Sequence, residues 1–133
     1  MTPELIAPLL AAPLDVRLAL LDADPKGAGW FVGEYGASVY ANPTCYCHLD
    51  SFKWLLKEGR AAWLPCNPLA IAEHAQEQRG LDCGLEYDRT PTGRMFRLVI
   101  DRGDGRDMDI HVGAGPDAHT AAVRLLAEVV GHD

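Results

Sequence analysis

A chain of 133 residues with 48% hydrophobic content fits one domain that buries its own core without disulfides or a structural metal. Its 12 Lys and Arg against 19 Asp and Glu leave a formal charge of −7, which excludes a general attraction to phosphate backbones or anionic lipid. No apolar run approaches the roughly 18 residues that span a bilayer. The apolar start carries Glu4, Pro3, Pro8 and Pro13 and lacks a basic opening, so it does not read as a secretory signal. The expectation is a soluble cytoplasmic protein with reduced cysteines.

In chain order, residues 1–14 read as short, proline-interrupted apolar turns. Asp15–Asp22 reads as a brief helix closed by Asp24-Pro25 and the Gly27-Ala-Gly29 loop. Trp30–Gly33 and Ala37–Tyr40 read as two strands of a hairpin, ended by Asn42-Pro43. Asp50 or Ser51 caps a helix over Phe52–Glu58, and Gly59 stops it. Asn67-Pro68 opens a second helix running to about Arg79. Leu85–Arg89, Met95–Asp101 and Asp107–Val112 alternate apolar and polar residues, as half-buried strands do. Apolar residues at 118, 121, 122, 125, 126, 129 and 130 make the stripe of a last helix, Ala118–Val130.

The turn between the last two strands can be argued from register. A three-residue loop, Gly103-Asp-Gly105, pairs Phe96 with Val112, Leu98 with Ile110 and Ile100 with Met108, so that all six face one core. It requires Gly105 in the left-handed region. The opposite face then carries Arg97, Val99 and Asp101 against His111, Asp109 and Asp107.

The fold class expected is α+β. It has an antiparallel three-stranded C-terminal sheet with helices packed on one face, preceded by an aromatic-rich hairpin-plus-helix unit over 15–64. All of it is taken as one domain, 1–133. The order helix, three strands, helix over 67–131 resembles a double-stranded-RNA-binding domain. Glu73-His-Ala-Gln76 matches the family's Glu-x-x-Gln, Tyr87 an aromatic of its first strand, and Gly113-Ala-Gly115 the lead into an alanine-rich last helix. The resemblance implies a shape. It would place Glu73, Gln76, Arg94 and Arg97 against nucleic acid, whereas the family's lysines at the start of the last helix are replaced by Pro116-Asp-Ala-His119.

Cys45, Cys47 and His48 fall within four residues, and Cys66 follows. Paired zinc cysteines are usually separated by two to four residues, so that one loop turns both sulfurs onto one ion. Here only Tyr46 intervenes, so packing is expected, no cofactor is expected, and a zinc or thiol site built from Cys45, Cys47, His48 and Cys66 is the alternative. No nucleophile–base spacing or phosphate loop is present. All three tryptophans and three of the four tyrosines lie in residues 30–63. Most belong in a core, while Trp63, Tyr46 and His119 are the candidate partner contacts.

The function expected is a small non-enzymatic binding or regulatory protein acting on another macromolecule, a protein, with a homodimer compatible. The alternatives are a nucleic-acid-binding domain, disfavoured by seven acids interleaved with the arginines between 82 and 109, and the zinc or thiol site.

Overall fold

The structure, a computed structural model, describes residues 3–33, 36–43, 49–59, 61–101 and 105–131. It is α+β and divides into two compact units, Met1–Asn67 and Pro68–Asp133.

The first unit opens with helix α1, Pro3–Ala11, where proline-broken turns were expected. Pro8 inside it forfeits one helical hydrogen bond, at a cost of about 3 kcal/mol. Leu5 and Leu9, one helical turn apart, are both buried, at about 2 kcal/mol each. Burial wins, and the helix runs through its proline. Helix α2, Leu14–Ala23, follows, then strands β1, Gly29–Gly33, and β2, Gly36–Tyr40, helix α3, Leu49–Lys57, and strand β3, Ala61–Pro65. The hairpin β1–β2 is as expected. β3 is an addition to it: it pairs antiparallel with the other side of β1, giving the order β2-β1-β3. All five of its residues are buried, which explains why Ala-Ala-Trp-Leu-Pro shows no alternation.

Trp63 is fully buried, which corrects the expectation of a partly exposed contact. Register sets it opposite Phe31, and its ring meets Phe52 edge to face at 5.8 Å. Phe52 meets Phe31 in the same way at 5.4 Å, and Phe31 meets Tyr40 at 6.4 Å. Leu21 of α2 and Leu56 of α3 close this cluster. Phe52 and Trp63, with Phe31 and Tyr40 packed against them, are the heart of this unit's core, whereas Trp54 is 54% exposed.

The second unit runs helix α4, Pro68–Arg79, strands β4, Cys83–Thr90, β5, Gly93–Asp101, and β6, Asp107–Gly115, then helix α5, Ala118–Val130. The sheet is an antiparallel meander in the order β4-β5-β6. The α5 stripe behaves as expected, with Ala121, Ala122, Leu125, Leu126 and Val129 buried together with Phe96 and Leu98 of the sheet and Ile71, Ala72 and Ala75 of α4.

Near the last turn the expected register holds. Ile100 pairs with Met108 and Asp101 with Asp107, and Gly105 has φ +81°. The other two loop residues lie outside the described residues. Further along the register departs from expectation: Val99 pairs with Asp109 but Leu98 with His111, so Ile110 is an extra residue, a β-bulge. Beyond it each side chain changes face. His111 is buried on the helix side, not on the outer surface, while Val112 is 40% exposed. Met108, on the turn side of the bulge, keeps its expected pairing with Ile100 yet is 46% exposed rather than core. Phe96 thus faces Gly113 rather than Val112. Gly113 supplies the reason: a Cβ there would lie 2.2 Å from the Leu125 backbone nitrogen. α5 rests directly on the main chain of β6, and only glycine fits beneath it.

Candidate binding surface

Of the cysteine cluster, Cys45, Cys47 and His48 lie outside the described residues, as does Tyr46. Cys66 is half-buried, and its backbone N–H donates to Ala28 O at 2.9 Å, just beyond β3. Cys83 opens β4, buried, with its thiol donating to Gly80 O at 2.9 Å. Burial pushes that thiol above its usual range, and the adjacent Asp82 carboxylate pushes the same way. Among the described residues no three His, Cys, Asp or Glu side chains come together as a metal site.

Of the residues that resemble an RNA-binding set, Gln76, Arg94 and Arg97 are engaged within the fold. Gln76 donates from Nε2 to Cys83 O at 2.6 Å, tying α4 to the start of β4. Arg94 donates to Gly93 O at 3.0 Å. Glu73 is exposed on α4. At the start of α5, where a phosphate grip would need cations, Asp117 is the N-cap and accepts from the Thr120 N–H at 2.8 Å. Desolvation raises the Asp117 pKa, but the hydrogen bonds from Thr120, helped by nearby His119, outweigh it and hold the carboxyl below its ordinary range. His119 itself sits half-buried in the first turn. An open depression of about 320 Å³ lies between the β4–β5 turn and α5, lined by Thr90, Thr92, Ala114, Gly115, Pro116 and Arg124. Only Arg124 in that lining is charged, and it donates to Ala114 O at 2.7 Å.

Arg97 stands on the sheet face turned away from Phe96 and Leu98. Register sets it between Glu86 on β4 and Val112 on β6. Its Nη2 and Nε lie 2.6 and 2.8 Å from one Glu86 oxygen, and Nη2 and Nη1 reach Asp88 at 3.4 Å and Asp109 at 3.9 Å. The Glu86 hydrogen bond holds its already high pKa higher still. One guanidinium is thus ringed by three carboxylates, each about half exposed. Such pairs contribute little to stability. Their effect is on the surface: the arginine is screened and the patch stays negative. Large apolar side chains stand exposed beside β4, with Tyr87 47% exposed over Phe96, at a ring distance of 4.6 Å, and Leu81 80% exposed just before the strand.

Alternation in the sequence places Glu86, Asp88 and Arg97 on an outer face. The hairpin register likewise sets Asp109 opposite Val99 on that face, as observed. Neither signal shows that the four charges meet at one point, because that depends on how the side chains reach across three strands. Comparison of the chain with protein-family models, with curated proteins and with solved structures gives no match.

Proposed function

We propose that this chain is a small non-enzymatic binding protein whose target is another protein, one with a basic surface. The observation that carries the reading is the outer sheet face around Arg97, negative through Glu86, Asp88 and Asp109 and bordered by exposed Val112. A cation so enclosed offers little to a phosphate, and Asp117 at the α5 start opposes one. The chain's charge of −7 acts in the same direction.

The test uses matched baits, the wild-type chain and a Glu86→Lys/Asp88→Lys/Asp109→Lys variant, with retained proteins quantified by mass spectrometry. Expected is a defined basic protein, held by the wild type in a salt-sensitive manner and lost by the variant. Equal retention by both baits, or no specific retention, rejects the reading. The reading includes no zinc, so metal analysis of the purified chain should give far less than one equivalent. A full equivalent would favour the Cys45, Cys47, His48 and Cys66 alternative.

A further inference from the structure

We infer that the free edge of β4 takes up an extended segment of the partner protein as a fourth strand, and that this segment alternates basic and apolar residues. The inference rests on the protein-binding reading above and specifies its mode.

Both outer strands of the meander have an edge that no other strand pairs with among the described residues. On β4 the first residue is already engaged, Cys83 O by Gln76 Nε2 and its N–H by Gly80 O, so the open stretch is Gly84–Thr90. The bulge at Ile110 interrupts the β6 edge, and bulges on edges oppose further pairing. β4 keeps one register against β5 through all eight residues, from Cys83↔Ile100 to Thr90↔Gly93. It contains no proline and no lysine, two residues that commonly guard an edge.

A strand added beside β4 would meet two different rows. On the outer face lie Glu86 and Asp88. On the helix side lie Leu85, Tyr87 and, toward the strand's end, Arg89, with exposed Leu81 in the turn before the strand. A second copy does not suit these rows. Antiparallel self-pairing centred on Tyr87 puts Glu86 opposite Asp88, and centring on Glu86 or on Asp88 sets that carboxylate against itself. Directly opposed like charges destabilise a strand pair. Lysine or arginine on the outer row and aliphatic residues on the inner row complement both, while backbone hydrogen bonds supply the rest.

The test titrates the ¹⁵N-labelled full chain with an acetylated, amidated octapeptide alternating lysine and valine. Its glutamate–valine counterpart and a short RNA duplex are run in parallel. Expected are amide shifts concentrated on Gly84–Thr90 with the lysine peptide alone, and about tenfold weaker binding by the Glu86→Lys/Asp88→Lys variant. Unchanged α5 resonances in that variant show that it is folded. A lysine peptide N-methylated on the backbone groups that face β4 should also lose binding, since it keeps the charges and removes the ladder. Shifts centred on β6 or on the Arg97 face, equal binding of the methylated peptide, or a preference for the RNA overturn the inference. So does absence of binding by the lysine peptide. A partner recovered with the matched baits whose footprint avoids β4 overturns the strand-addition mode and leaves the wider protein-binding reading standing.

Discussion

Arg17, buried in the first unit, directs its guanidinium at main-chain oxygens. It donates to Ala12 O beyond α1 at 3.0 Å, to Leu56 O in the last turn of α3, and to Ala61 O at the start of β3 at 3.4 Å. Two of these carbonyls lie at helix C-termini, where partial negative charge gathers. One planar cation therefore serves three segments. Replacing it by alanine leaves those oxygens dry, and Arg17→Ala should lose about 3 kcal/mol in urea denaturation. Lysine, with a compact head group, should recover only part of the loss. Cys83 offers a second test at this scale. Its raised pKa keeps the thiol protonated at neutrality, so iodoacetamide should modify it more slowly than Cys66, as read by peptide mass mapping. The sign follows: its contribution to stability is complete below the unfolded thiol value and is lost as pH rises through the folded one. Neither role is legible in sequence. Arg17 sits in an apolar helical stretch like any solvated arginine, and a lone cysteine does not announce its depth.

Helix α5 is the element that sequence describes best, because a stripe with 3.6-residue period and a capping Asp117 are local signals. Asp117→Ala should cost about 1 kcal/mol. The carboxyl pKa is depressed in the fold, so the contribution of the cap is complete above the unfolded value near pH 4 and fades as pH falls through the folded value. The difference between wild type and variant should therefore shrink in acid denaturation series below about pH 4. How α5 meets β6 is a different matter. Gly113→Ala places a methyl carbon against Leu125 N and Ala121 O and should destabilise the second unit by about 3 kcal/mol, with amide exchange in α5 accelerated. The sequence shows the glycine but not the helix above it. β3 was missed for a related reason: a strand buried throughout has no polar phase to reveal its period. α1 was missed because prolines count against a helix locally, whereas Leu5 and Leu9 gain their burial from elements far along the chain.

For the whole molecule, the α+β class and the meander of the second unit follow from alternation and turn residues alone. The charges, read as a sum, disfavour nucleic acid. Read in place they do so again, with Arg97 enclosed and Asp117 at a helix start. Duplex RNA should give no mobility shift with this chain at low salt, where electrostatic binding is strongest. Light scattering should give the monomer mass of 14.5 kDa, since the regular edge is acidic and opposes its own copy. The candidate contacts were less legible than the fold. Trp63 looked like an anchor because it is aromatic and precedes a proline, and only the position of β3 beside β1 shows it to be interior.

The extra residue at Ile110 also bears on aggregation. A fibre lengthens only if every added unit presents a fresh site on its far side, so a ribbon with two regular margins can propagate without limit. Here one margin is kinked and the other repels its like. On the strand-addition reading, this sheet accepts a single guest and then stops, so it would display an available strand at high concentration without templating filaments through its own margins.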